Sequence, residues 1–443
     1  MMPSWIAAKN PEFARHIWLE MSPHRVIGLP IVIALISLLT WSTSNELKHL
    51  AVPTMSMAVV LLLWGAHLAA ESVLSEVRER TWHAQRMSAL SPWQLAWGKL
   101  LGSTLFAWYG TALCLLLYLL ASPTPWSERL ATVLFVAQAG LTVQAVTMLL
   151  CLSTMPSHPS QGRTQSFSYI LLIAIVFMPW LIGALVDTDK DIEWYGRMIP
   201  HMAFINLSIA LFLAWALAGL YRLMRQELQM RQGFAVWLGF IVCVIIYLNG
   251  FFIDARWDNL PPDTRLGFFA LAMFQAATFT YIMLFLEDAS PIDAKQALRA
   301  MRQGHYTELM QWMPCWLVSL LLAACCFIAA VFTVNDPDHI GLLWFFLGAL
   351  LFVVRDVAVL LWVRFRPSQK GSSTVAVVIY LLCSYSILPL LLHALGADSF
   401  IPLFIPNPTY GVLNIMVIVE VVIAAVLLHS RWQRVTLPDE VSQ

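Results

Sequence analysis

Apolar residues run through this chain in long blocks, and polar residues gather in the gaps between them. A helix that crosses a bilayer needs roughly 20 mostly apolar residues, with a range of about 17–25. Windows of that kind fall at approximately 26–42, 51–72, 97–121, 128–153, 166–187, 201–224, 233–253, 266–286, 313–334, 340–363, 372–396 and 410–430. They predict about twelve transmembrane helices. Two gaps, 73–96 and 287–312, are longer and more charged than the rest. Another polar stretch, "NPEFARHIWLEMSPHR", starts at Asn10 and precedes the first window. Asn10 suits an N-cap, Pro11 suits the first helical position, and Phe13, Ile17 and Met21 recur along one side. That pattern predicts a short amphipathic helix in the membrane interface.

Composition narrows the class. Hydrophobic residues make up 59% of the 443 and charged residues 12%, whereas soluble domains carry about 25% charged residues. The expected fold is an all-α polytopic membrane protein with amphipathic helices on its inner face. Net charge is zero, so no global attraction to nucleic acid is implied. All seven cysteines lie in or beside apolar runs without a C-x-x-C pair. They read as small buried hydrophobes, with no disulfide frame and no zinc site. No small-x-small site closes the first apolar run, so no cleavable signal is expected.

Charge sets an orientation. With the N-terminus inside, only Lys48, Arg129, Lys190, Arg197, Arg256 and Arg265 of the 26 Lys and Arg fall outside. Arg355 lies within a window, and the others fall inside. Cytoplasmic segments carry such an excess of positive charge, which supports twelve spans and places both termini in the cytoplasm. Each long inner gap then follows the second helix of a six-window half. Six is even, so the halves share one orientation, as in a parallel repeat about the membrane normal. The expected organisation is an interfacial helix over 1–25, a first six-helix half over 26–225 with segment 73–96, a second half over 226–434 with segment 287–312, and a cytoplasmic tail over 435–443.

The first inner gap has internal grammar. Glu76 and Arg80 stand at i,i+4 in the favourable order, so a charged continuation of the second helix is expected. Ser91-Pro92-Trp93-Gln94 then reads as an N-cap, a proline start and a capping box. Gly98 and Gly102 form a G-x-x-x-G, which permits close helix contact. Charged helix, break and capped restart predict a rigid protrusion. The plain alternative is a solvated loop with an interfacial tryptophan belt.

Segment 71–102 resembles the cytoplasmic coupling region of ABC transporter permeases of the ABC-type-2 exporter class. The matching residues are Glu79, Arg80, Thr81 and Trp82, then Leu90, Pro92, Gly98 and Lys99. The stretch from Asn10 is similar to the elbow helix that precedes the first span in that family. The resemblance is specific over about the first hundred residues and topological beyond them. It implies that Glu79, Arg80, Thr81, Trp82, Arg86 and Pro92 couple the chain to an ATP-binding cassette ATPase, expected in two copies. Members commonly have six spans and pair as two chains. Twelve spans therefore suggest a fused pair, with a homodimer as the alternative if the chain is not one.

The second long gap tests that idea. Ser290-Pro291-Ile292-Asp293 repeats the cap and proline start. Ala294, Leu298 and Met301 share one face, Lys295, Arg299 and Arg302 the adjoining one, and Gly304 suits a stop. The segment lacks the signature of the first gap. Lys295, Arg299 and Arg302 are candidates for a divergent second coupling element, and the alternative is a membrane-surface helix.

The chain has no G-x-x-x-x-G-K-[ST] phosphate loop. Its Gly98-Lys99 is followed by Leu100 and lacks the earlier glycine. No cofactor is expected in this chain, and ATP and Mg belong on the partner. No catalytic constellation and no metal site can be proposed from spacing. His67 and His393 read as hydrogen-bonded packing residues. Asp187, Asp189, Asp191, Glu193, Asp254, Asp258 and Asp263 read as solvated outer loops. Arg355 and Glu420 fall within windows at similar depths, about 13 and 16 Å from the inner ends at ~1.5 Å per residue. A charge at the membrane centre costs at least about 2.5–3.5 kcal/mol, so an ion pair between these two is expected. Asp356 adjoins Arg355, but neighbours on a helix point to different faces. The pair reads as a structural clamp that should tolerate exchange of its charges. A hydrated path or proton coupling through Glu420 is the functional alternative.

The expected function is the permease subunit of an ATP-driven exporter, itself not an enzyme, moving a lipid, peptide, polysaccharide or hydrophobic molecule across a bacterial inner membrane. A stand-alone twelve-helix secondary transporter is the runner-up, although the G-x-x-x-D-R-x-G-R-R pattern is absent. A membrane-embedded enzyme or scaffold is a third class.

Overall fold

The computed structural model describes residues 10–44, 47–87, 90–153, 191–230, 233–253, 262–287, 291–333, 340–365, 370–406 and 416–436. The protein is an all-helical membrane protein. Among the described residues, eight helices are long and apolar enough to cross a bilayer, and nine if one bent pair counts as a span. Nine of the twelve windows match these. Window 233–253 holds a shorter helix, Ala235–Asn249, and window 410–430 meets a helix, Val417–Thr436, that is not among the nine. Window 166–187 lies outside the described residues, as do Asp187, Asp189, Asp254 and Asp258.

The chain divides into two compact units, Met1–Ile192 with Met198–Gln232, and Glu193–Arg197 with Gly233–Gln443. The first contains α1 (Pro11–Glu20), α2 (Pro23–Ser44), α3 (Ala51–Arg78), α4 (Trp82–Arg86), α5 (Pro92–Ser103), α6 (Leu105–Ala121), α7 (Trp126–Ser153) and α8 (His201–Glu227). Buried Ala58, Ala66, Ala69 and Ala70 line α3. Such small residues let backbones approach closely where no hydrophobic force separates helix from lipid. At one end of the unit Ala69, Val73, Trp82, Leu95, Leu100, Met148, Leu220 and Met224 form a continuous core.

Helices α5 and α6 meet at 55°. No proline causes this bend. Ser103 Oγ donates to the Lys99 carbonyl at 2.7 Å and Thr104 Oγ1 to that of Leu100 at 2.6 Å. Side-chain hydroxyls that bond back four residues in this way often bend helices.

A ribbon that the hydrophobic pattern does not predict joins β1 (Ile192–Trp194) and β2 (Arg197–Ile199). Its turn residues Tyr195 and Gly196 have φ of 51° and 63°, as a tight two-residue hairpin requires. The turn satisfies the last carbonyls of α9 (Ala235–Asn249). Tyr195 Oη donates to Ile246 O at 2.8 Å, Trp194 Nε1 to Tyr247 O at 3.1 Å, and Tyr195 N to Gly250 O at 2.8 Å.

The second unit continues with α10 (Pro262–Leu286), α11 (Pro291–Gln303), α12 (Tyr306–Trp312), α13 (Cys315–Thr333), α14 (Ile340–Arg364), α15 (Lys370–Leu382), α16 (Leu388–Ala394) and α17 (Val417–Thr436). A single π turn, Cys383–Ile387, joins α15 to α16. Glu287 accepts from the backbone N–H groups of Cys315 and Trp316 at 3.0 and 3.3 Å, so a residue beyond the end of α10 caps the start of α13. Gly304, at φ 71°, ends α11 as its sequence suggests.

Candidate functional site

Segment 73–96 is built from local signals. Helix α3 stops in a Schellman turn: Thr81 N bonds to Glu76 O at 2.9 Å and Arg80 N to Val77 O at 3.2 Å. Such a turn needs one residue in the left-handed region. Arg80 supplies it, with φ of 61°, where glycine is usual. One turn of α4 follows. Helix α5 begins at Ser91 with the full capping box, Ser91 Oγ accepting from Gln94 N at 3.2 Å and Gln94 Oε1 from Ser91 N at 3.0 Å.

These elements place the sequence candidates differently. Glu79, Arg80 and Thr81 are exposed. Trp82 and Pro92 are buried, so they position the segment instead of offering it to a partner. Trp82 Nε1 donates to Glu227 Oε2 at 3.1 Å. Arg86 lies in α4, and its side chain is outside the described ones.

Beneath the segment sits a buried charge network. Lys99 is fully buried, and Glu12 and Glu76 are nearly so. Lys99 Nζ lies 2.5 Å from Glu76 Oε2 and 3.4 Å from Glu12 Oε1, and 5.5 Å from the centre of the Trp82 ring. Arg15 Nη2 reaches Glu76 Oε1 at 2.8 Å and Glu12 Oε1 at 2.9 Å. Gln85 Nε2 donates to Glu76 Oε1 at 2.7 Å. Two carboxylates and two cations cancel, which is how buried charge becomes tolerable. The i,i+4 reading of Glu76 with Arg80 is corrected here. Arg80 leaves the helix in a left-handed turn, and Glu76 faces inward to Lys99 and Arg15.

The network fastens α1 to α3 and α5. Asn10 caps α1 as expected, accepting from Phe13 N at 3.2 Å, while its Nδ2 donates to Gln94 O at 2.9 Å. A Cβ on Gly98 would come within 2.8 Å of Glu12 Cβ, and one on Gly102 within 2.8 Å of His16 Cβ. The partner of the G-x-x-x-G is therefore α1. Helix α1 buries Glu12 and His16, whereas Phe13, Ile17 and Met21 are only partly covered and Trp18 is 81% exposed. The apolar side foreseen from the pattern is not the side that docks.

Burial tends to raise the Glu12 carboxyl. The contact with His16 and the charges of Lys99 and Arg15 outweigh that and hold it down at about 2. A depressed carboxylate stabilises the folded state above its unfolded value of about 4.5 and loses that contribution as pH falls. Docking of α1 should therefore be undiminished above about pH 5 and weaken progressively towards pH 2. Hydrogen exchange of residues 11–20 against pH, corrected for intrinsic rates, checks this. Release of α1 already complete by pH 4 would refute it.

The second unit holds its own charge cluster. Arg355 Nη1 meets Glu420 Oε2 at 2.6 Å, so the expected pair forms. Asp356 is the correction: Arg355 Nε and Nη2 bond to Asp356 Oδ1 at 3.0 and 2.9 Å. A guanidinium on a long stem can curl back to its neighbour even though their Cβ atoms diverge. Asp356 also accepts from Tyr281 Oη at 2.7 Å, Tyr380 Oη at 2.9 Å and Tyr385 Oη at 2.5 Å. Tyr385 belongs to the π turn. The Phe352 ring lies 4.6 Å from the guanidinium. None of these four aromatic residues was singled out by the charge pattern.

On α11, Arg299 and Arg302 are exposed and Lys295 is half-buried. Leu298 and Met301 are exposed as well. His393 Nδ1 pairs with Asp398 Oδ1 at 2.8 Å. His67 Nδ1 is buried without a hydrogen-bond partner among the described residues. No group of three metal-ligating side chains occurs among the described residues.

Residues 33–248 match a family model described as ABC-2 family transporter protein. No curated protein and no solved structure matches the chain.

Proposed function

We propose, from the premise that residues 33–248 of this chain are an ABC-2 family transporter domain, that the protein is the membrane subunit of an ATP-driven exporter. A multi-pass permease component of this type is typically non-catalytic and works with an ABC ATPase. In our reading the twelve windows form two parallel six-helix halves with both termini cytoplasmic in a bacterial inner membrane. Two ATPase copies carry the ATP and Mg. One docks on the exposed Glu79–Thr81 turn, and the other on α11 through Lys295, Arg299 and Arg302. The cargo is lipid, peptide or another hydrophobic molecule.

The observation that supports this most is the buried network of Glu12, Arg15, Glu76 and Lys99. It ties the turn to three helices, so a push on the turn moves them together. ATP then acts by differential contact in two states, as any ligand-driven switch must.

Arg80 offers a clean test. Arg80→Gly removes the charge and relieves the left-handed strain, so the fold should be retained or slightly stabilised. Docking of the ATPase should weaken about tenfold, or about 1.4 kcal/mol, read by titration of the ATPase onto the purified permease in nanodiscs. Adding Glu79→Gln should deepen the loss. Unchanged docking and unchanged ATP-driven transport in the double variant would remove this assignment.

A further inference from the structure

Helices α14 and α17 run side by side in the same direction. Arg355 meets Glu420, and further along both chains the Phe365 and Trp432 rings stand 5.8 Å apart. Both helices therefore end at one membrane face. Near that end the Arg431 guanidinium lies over Trp362, 5.4 Å from the ring centre. Arg431 is half-buried. Its Nε is buried with no acceptor among the described residues, and its terminal nitrogens keep surface to meet a ligand. Other part-buried arginines are answered. Arg355 and Arg15 each have two carboxylates, and Arg364 Nη1 donates to Glu287 O at 2.7 Å. Neither Arg431 nor Arg434 enters an ion pair among the described residues.

Ile423, Leu427, Arg431 and Arg434 recur at i, i+4, i+8 and i+11, so they share one side of α17. Ile423, Leu427 and Arg434 are exposed. From Ile423 to Arg431 is about 12 Å at ~1.5 Å per residue, most of one leaflet of a hydrocarbon core ~30 Å thick. A basic rim alone is ordinary in membrane proteins. Here two guanidiniums without a counter-charge top an exposed apolar track, and one of them is held over an indole. A phospholipid has the matching order of parts, an anionic head on an apolar chain. Guanidinium pairs well with phosphate through its N–H groups, and basic sites between transmembrane helices bind anionic headgroups. We propose that this side of α17 binds an anionic phospholipid, its phosphate bridging Arg431 and Arg434 and one acyl chain lying along Leu427 and Ile423. Such binding is independent of ATPase coupling.

The full chain in detergent is offered phosphatidylglycerol and phosphatidylcholine with identical acyl chains, and retained lipid is counted by native mass spectrometry. Phosphatidylglycerol should be held about tenfold more tightly, or about 1.4 kcal/mol. Arg431→Gln should abolish that preference. Because Arg431 also packs on Trp362, Arg434→Gln serves as a second variant. Its side chain is exposed, so the fold should stand while the preference falls about threefold. Arg78→Gln removes a cation from the first unit and should leave the preference intact. Inorganic phosphate in millimolar excess carries no chain and should not displace the lipid. A preference that survives both α17 variants overturns the proposal. An equal loss in Arg78→Gln assigns the preference to net charge alone and overturns it too. So does displacement by phosphate, which marks a site for a soluble anion. Equal retention of the two lipids also overturns it and leaves Arg431 and Arg434 to the acidic tail residues Asp439 and Glu440.

Discussion

Lys99→Met should destabilise the first unit by about 3–5 kcal/mol, the usual result when one partner of a buried ion pair is removed. The side chain is fully buried, and two carboxylates, Glu12 and Glu76, face it. Methionine fills the same space with nothing to offer them. Arg15 alone would then balance two negative charges from a position half open to solvent. The double variant Lys99→Met with Glu76→Gln should recover much of the loss, because Glu12 keeps Arg15 and the remaining charges cancel again. Neighbours that share one network couple in this non-additive way. Thermal unfolding in detergent gives the stabilities, and hydrogen exchange of α1 shows where the loss falls. A single variant within about 1 kcal/mol of wild type, or a double variant worse than the single, would show that the network contributes little.

That network was only half legible in the sequence, and the reason is distance along the chain. The Asn10 cap, the Ser91–Gln94 capping box and the Gly304 stop depend on partners within five residues, so the string of letters contains them whole. Glu76 is different. The nearest cation at helical spacing is Arg80, but its partners in the fold are Lys99 and Arg15, 23 and 61 positions away. Gly98 and Gly102 announce a close contact without naming α1 as the neighbour. The amphipathic pattern of α1 marks Phe13, Ile17 and Met21, which stay only partly covered, yet conceals that Glu12 and His16 make the dock. Thr104 gives no sign of a bend until its hydroxyl is seen to bond back to Leu100. In the second unit, depth along two helices brought Arg355 to Glu420. No spacing rule brings in Tyr281, Tyr380 and Tyr385, because each arrives on a different turn or helix.

Asp356 also changes what the Arg355–Glu420 pair should do. If the pair stood alone, exchanging its charges would keep the clamp. With Asp356 bonded to the same guanidinium, a glutamate at 355 would stand beside a carboxylate that has lost its cation. The exchange should therefore fail to restore stability. Arg355→Leu should be the most damaging single change, about 3–5 kcal/mol, because it strands a buried Asp356 and leaves Glu420 unpaired. Glu420→Gln should be mild, about 1 kcal/mol. Its side chain is 33% exposed, and Arg355 keeps two N–H bonds to Asp356. Asp356→Asn should fall between them, since Arg355 can still hold Glu420 while three tyrosine hydroxyls lose a charged acceptor. Unfolding of the three variants in one detergent ranks them directly. If Glu420→Gln proves the most damaging, Asp356 is not the centre of the cluster, and the weight shifts to the carboxylate on α17.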